Sequence, residues 1–429
     1  LISALKGYIG GLETAIAMDS ATATTVADSL NFMYTCSSDL NDDGQIGEGE
    51  TGLCDGDAHG ISTDLEAEQT TFGDISGGKY ISGKIAGGDA TGQSTDWNTD
   101  GIVGWGDAEV VTPDGLVTTW FSMIVDNSVN IADGTFGQTP GGEDITKPYV
   151  TAQGHDLAQL VHKFLLGAVA FSQGADDYTD YDETDVFGID LVAGKKGLYA
   201  DNTALKEGKN YTALEHGWDE GFGYFGAAAD YLAYTDDEIA GKDGRANYQG
   251  HHDTNNDCKI DLVSEYNWGH SLNAAKRDRG HTTDLTAEAF GAFHAGRALI
   301  ASVQGELTEA QMTELKGYSD TAVTAWEKAI AATVIHYIND TIGDMEAAEY
   351  NFYDHAKHWS ELKGFALSFQ FNRRSPMTAE QFAALHAAIG TAPALPGAEN
   401  FDAYKQGLVD IRGVVGTVYG FDAADIESW

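Results

Sequence analysis

Apolar residues recur at helical spacing in several stretches of the chain, and long polar runs separate them. In residues 1–35, Leu12, Ile16, Val26, Leu30 and Met33 fall at near-helical intervals. From Gln153 onward Leu157, Leu160, Val161, Phe164, Leu165, Ala168 and Val169 mark a single stripe at i, i+3, i+4 and i+7. Beyond Asp284 the pattern is almost wholly helical, and its cleanest stripe is Trp326, Ala329, Ile330, Thr333, Val334, Tyr337 and Ile338. Ser375-Pro376 and the segment from Thr391 to Pro396 punctuate the last helices. Thr378, with Gln381 three residues on, reads as an N-cap with its capping box.

The intervening runs have a different character. Residues 36–148 are rich in Gly, Asp and Thr, with short alternating pieces such as Lys79 to Ile85, which predicts loops and hairpins. Further polar insertions span about 174–212 and 234–284. The fold class expected is mainly α: a helical bundle with long Gly/Asp-rich calcium-stapled insertions and a few short strands. Residues 1–429 read as one large helical domain carrying these insertions.

Calcium enters through the insertions. An EF-type loop places oxygen ligands at positions 1, 3, 5, 7, 9 and 12, with glycine at 6 for the sharp turn and an apolar residue at 8. Asp39 to Glu50 meets this pattern with Asp39, Asn41, Asp43, the Gln45 carbonyl and Glu50, around Gly44 and Ile46. A second loop, Asp96 to Asp107, offers Asp96, Asn98, Asp100, the Ile102 carbonyl and Asp107 around Gly101. Its closing Asp is shorter than Glu and reaches an ion less easily; without metal the same residues favour a turn. A third, irregular loop keeps Asp253, Asn255, Asp257, the Lys259 carbonyl and Ile260. Cys258 replaces the glycine there, and the closing acid, Glu265, comes one position late. The loops are scattered along the chain without helix-loop-helix pairing, so structural stapling fits them better than a sensor switch.

Charge and cysteine usage locate the protein. With 67 Asp and Glu against 24 Lys and Arg, the net charge is -43, more than a few calcium ions neutralise. Such a surface suits a saline exterior, where self-repulsion is screened, and it disfavours nucleic acid or anionic membrane partners. Hydrophobic residues make up 42% of the chain, so it folds despite its charge. Of the three cysteines, Cys36 and Cys54 bracket the first loop, where a disulfide between them would close it in an oxidising compartment; three free thiols are the alternative. No apolar run is long enough to span a membrane. Beginning at Leu1, the chain reads as a mature or trimmed exported product, extracellular, at the cell surface or periplasmic.

Two clusters in the helical part carry candidate chemistry. His355, His358 and Glu361 fall at i, i+3 and i+6, so that His358 and Glu361 share a face and, with help from other helices, present a transition-metal site. The bland reading is a histidine bonded to a carboxylate inside a helical interface. Glu215, His216, Asp219 and Glu220 form a second cluster, able to bind a cation or to pair with Arg297. Serine-hydrolase elbows, zincin motifs, phosphate-binding loops and paired Cys-x-x-Cys motifs are absent, and Cys258 lies among carboxylates that disfavour a thiolate nucleophile.

Four segments carry a family resemblance: Lys163 to Ala168, Glu215 to Gly226, Asn273 to Asp278 and His358 to Glu361. On these the chain resembles a family of secreted bacterial proteins whose domain has no assigned function. More distantly it is similar to the imelysin group of helical, iron-regulated envelope proteins with a His-x-x-Glu motif. That resemblance implies iron or another transition metal as a ligand, with His358 and Glu361 as the motif's counterparts, although the motif's glycine-led form is absent. Three functions follow in order: an extracellular calcium-binding, non-catalytic protein with a structural, attachment or surface-assembly role; an accessory protein for iron or other metal acquisition; and a metal-dependent peptidase. The cofactor expected is calcium, about two or three ions. A self-assembly or cell-surface partner is expected without an identity.

Overall fold

The computed structural model describes residues 81–88, 94–106, 111–242, 244, 265–303 and 305–429, with the backbone of 60–62 and 259–261. The expected N-terminal helix, the first calcium loop, all three cysteines and most of the third loop lie outside the described residues.

The fold is mainly helical. Its axis is the 38-residue helix α7, Glu309–Glu346, begun by a capping box between Thr308 and Gln311. Trp326, Ala329, Ile330, Thr333, Val334 and Ile338 are all buried along it, as the apolar stripe predicts. Ala325, Ala331, Ala332 and Ile335 are buried too, because α7 is packed on several sides. Its neighbours are α5 (His270–Asp278), α6 (Leu285–Ser302), α8 (Phe352–Ala366) and α10 (Phe401–Tyr419). The helix α2, Leu157–Leu165, lies against α8. Leu157, Leu160, Phe164 and Ala168 from its stripe enter the core. Beyond Leu165 the same helix widens into π-helical turns, Leu166–Phe171 and Gln173–Tyr178.

The remaining helices close the ends. Ala213–Phe225 (α3) packs on α6, Ala379–Ile389 (α9) packs on α10, and Ala423–Ser428 (α11) returns to α7. Thr378 caps α9 with Gln381, as its sequence indicates.

The insertions hold more helix than their composition suggests. Pro113–Ala132 forms α1, where a loop-and-hairpin region is expected: Thr112 caps it, Pro113 occupies the first turn, and Leu116, Val117 and Trp120 are buried. In the third insertion a short α4, Asp236–Ile239, and α5 appear. The alternating segment ending at Ile85 is not a strand where it is described. Ile81–Gly83 is a 3₁₀ turn, with the Lys84 and Ile85 amides bonding back to the Ile81 carbonyl. Strands are few and short: Gly60–Ser62 (β1) pairs in parallel with Lys259–Asp261 (β4), and Gly137–Gln138 (β2) pairs antiparallel with Asp144–Ile145 (β3).

Candidate functional site

Three groups of residues are candidates for chemistry: the second loop of EF-type spacing, the acidic cluster on α3, and a polar centre between α2, α5, α7 and α8.

The second loop is described from Asp96 to Gly106, and Asp107 lies outside. The Asp96 carboxylate accepts hydrogen bonds from the Asn98 amide (3.1 Å) and the Thr99 hydroxyl (2.6 Å). The Asp96 carbonyl accepts from the Thr99 and Asp100 amides at 3.0 and 2.8 Å, closing the turn. Gly101 follows at φ 66°, a left-handed conformation that costs a residue with a side chain roughly 1–2 kcal/mol. The loop is seated on the bundle. Trp97 is buried with its ring 5.2 Å from that of Phe371, and the Val103 amide donates to Gln370 Oε1 at 3.1 Å. Of the third loop, Lys259 is seen in β4 and Glu265 is buried.

On α3, Thr212 and Glu215 form a capping box, which fixes Glu215 facing α6. Arg297 of α6 then bridges two carboxylates, Nη1 to Glu215 Oε1 and Nε to Asp219 Oδ1, each at 2.8 Å. Burial pushes the Glu215 pKa up, but bonds from Thr212 and the charge of Arg297 outweigh it and hold the pKa below the usual range. His216 lies 3.7 Å from Glu220 and stacks on Tyr211. Of the four residues of the cluster, Glu215 and Asp219 pair with Arg297, while His216 and Glu220 face each other. Gly296 lets the helices close, because a Cβ there would stand 2.1 Å from the Trp218 ring. Beside the pair, a cleft of about 180 Å³ is walled by Trp218, Phe222, Phe290 and Phe293.

The polar centre was only partly foreseen. On α7, His336, Asp340 and Asp344 repeat at i, i+4 and i+8, a stripe adjoining the apolar one. His358 Nδ1 lies 2.8 Å from Asp344 Oδ2, and His336 Nε2 lies 3.2 Å from Asp340 Oδ2. Burial lowers the pKa of His358, but the Asp344 hydrogen bond and the charges of Asp344 and Asp340 win, and the net shift is upward. His336 is driven the other way, to about 3, by burial and by the charge of Arg277. One imidazole is therefore shifted toward its charged form while its neighbour is kept neutral.

Glu361, four residues before Phe365 on α8, does not meet His358. Its Oε1 accepts from the Tyr337 hydroxyl at 3.0 Å and lies 3.3 Å from Lys163 Nζ, while its Oε2 is buried without a hydrogen-bond partner. Tyr337 stacks between Phe365 and His358, and burial together with the Glu361 charge raises its pKa, so its hydroxyl stays a donor. His355 is elsewhere again, bonded to the Tyr350 hydroxyl at 3.0 Å. The face shared in the sequence thus separates into a His358–Asp344 pair and a Tyr337–Glu361–Lys163 group.

Facing these from α5 is Arg277, which sequence reasoning did not single out. It is 8% exposed, with burial lowering its pKa to about 10, so it is charged at neutral pH. Among the described residues its side chain has no hydrogen-bond or ion-pair partner, and its Nε is sealed from solvent. The available signal was its place in Asn273 to Asp278, one of the family marks. Among the described residues, no three His, Cys, Asp or Glu side chains converge closely enough to grip a metal ion.

No curated protein and no solved structure matches the chain. Residues 114–388, running from the first turn of α1 to the end of α9 and including both the α3 cluster and the polar centre, match the family described as a domain of unknown function, DUF4856. With well over half of its length matched, the chain belongs to the DUF4856 family.

Proposed function

We propose that the protein is an extracellular, calcium-binding, non-catalytic protein in which calcium loops staple polar insertions to a helical bundle, for a structural, attachment or surface-assembly role. The observation that carries this reading is the second loop. Its sequence supplies oxygen ligands at EF spacing, its backbone turns with glycine left-handed at position 6, and it is docked through Trp97 and Gln370. A cation bound by Asp96, Asn98, Asp100 and the Ile102 carbonyl would neutralise carboxylates that otherwise repel one another in a chain of net charge -43. It would also hold Trp97 on the core. The loops from Asp39 to Glu50 and from Asp253 to Glu265 belong to the same reading.

The acquisition and peptidase readings depend on His358 and Glu361 acting together. The separate engagement of His358 with Asp344 and of Glu361 with Tyr337 gives them no added support. Calorimetric titration of calcium into chelator-stripped protein tests the proposal. Saturable binding is expected, and Asp96→Asn should remove one site while leaving the helical circular dichroism unchanged. If the wild-type protein takes up no calcium at millimolar concentration, the proposal fails.

A further inference from the structure

Arg277 is a buried charge to which the described residues supply no partner. A buried charge left uncompensated carries a desolvation cost that nothing repays, and among the described residues Arg277 is in that situation. Its surroundings do not resolve it. The groups that act on its charge are Tyr337 and then Asp340, which His336 and His358 already flank, and among the described residues no carboxylate oxygen lies within 4 Å of the guanidinium. Nε is sealed, whereas the two terminal nitrogens, equally without hydrogen bonds, keep the residue's contact with accessible space. The open end of the guanidinium is therefore the planar fork that recognises an oxyanion in two parallel hydrogen bonds.

The neighbourhood suits a singly charged acid. Lys276 adjoins Arg277 on α5, and Lys163 stands across at Glu361, so three of the chain's 24 cations gather in one place on a strongly acidic molecule. Glu361, Asp340 and Asp344 temper that field, which disfavours a dianion such as phosphate more than a carboxylate. Tyr337, whose one O–H is given to Glu361, lies within electrostatic reach of Arg277 and keeps Glu361 engaged away from the guanidinium.

We propose that Arg277 heads a binding site for a carboxylate group, formed by α5 with the polar faces of α7 and α8. The carboxylate comes either from a free small acid or from a peptide C-terminus. The site is independent of the calcium loops and stands or falls separately from them.

Thermal melting and calorimetry on the whole chain test it, with acetate and succinate representing small acids, triglycine with a free or amidated C-terminus representing a peptide end, inorganic phosphate as the competing oxyanion, and sodium chloride at matched ionic strength as the control. Saturable stabilisation by acetate or succinate, or by triglycine only when its carboxylate is free, supports the site and identifies the source. Arg277→Met should weaken that binding by at least about tenfold, the loss of one charged hydrogen-bonding group, and Arg277→Lys should weaken it by less. Should Arg277→Met fail to fold, the Lys variant and the wild-type titrations still decide. No carboxylate-specific stabilisation of the wild type, binding of phosphate alone, or unchanged affinity in the variants would each overturn the proposal.

Discussion

Lys363 shows how far one side chain can be taken from its usual state. It is fully buried, its Nζ donates to the Gly390 carbonyl at 2.6 Å and lies 3.1 Å from His386 Nδ1, and no carboxylate among the described residues joins it. Burial lowers its pKa to about 7. In the unfolded chain a lysine titrates near 10.4, so between these values the unfolded state binds more protons and stability rises with pH. Below about pH 7 the full penalty of the buried charge is present. Urea unfolding at several pH values in that interval should show the wild-type protein gaining on Lys363→Met by up to about 1.4 kcal/mol per pH unit. Parallel profiles for the two proteins would show that Lys363 is not the cause. Glu327, also fully buried, accepts hydrogen bonds from Tyr419 (2.6 Å), Ser375 and Asn372, joining α7 to α10. Removing it in Glu327→Ala strands three donors and should destabilise the fold by about 3–5 kcal/mol, read from denaturant midpoints. Neither role was legible in the sequence, because a buried lysine or glutamate looks the same in one dimension as a solvated one.

At the scale of elements, the contact between α3 and α6 offers a paired test. Gly296 faces the Trp218 ring, and an added Cβ would overlap it, so Gly296→Ala should cost about 1–3 kcal/mol. Gly291 lies on the same helix with nothing within 4 Å of an added Cβ, and Gly291→Ala should be neutral or stabilising by roughly 0.5–1 kcal/mol. Thermal denaturation of both variants checks the contrast; similar effects would mean that close approach is not what Gly296 provides. Helices were legible where an apolar stripe ran long, as in α7 and α2, and where a Thr-x-x-Gln box marked a start, as in α9. The helix Pro113–Ala132 escaped because its exposed faces carry Thr, Ser and Asn, residues that propensity assigns to loops, and burial of Leu116, Val117 and Trp120 overrides them. The polar centre was half legible for a similar reason. His358 and Glu361 stood out as a motif, but their partners Asp344 and Tyr337 are supplied by α7, and tertiary packing alone brings them near.

For the whole molecule, the net charge of -43 sets the conditions of stability. Self-repulsion acts over the Debye length, which shrinks from about 10 Å at 0.1 M salt to about 3 Å at 1 M. The melting temperature should therefore rise with added sodium chloride at fixed calcium, and a fall would mean that specific surface ion pairs outweigh the general repulsion. No described helix is long and apolar enough to cross a membrane. The family assignment spans the helical core and both polar clusters, while the first two proposed calcium loops lie N-terminal to the matched residues. Calcium loops at Asp39 and Asp96 would therefore serve this chain's insertions rather than the part it shares with its family.

Elemental analysis of the protein after gel filtration in calcium-containing buffer, resolving calcium from iron and zinc with stoichiometry, tests the central claim most directly. About two or three calcium ions per chain are expected, lost on chelation together with several degrees of melting temperature. A chain that emerges free of calcium, with a melting temperature indifferent to chelator, would contradict it.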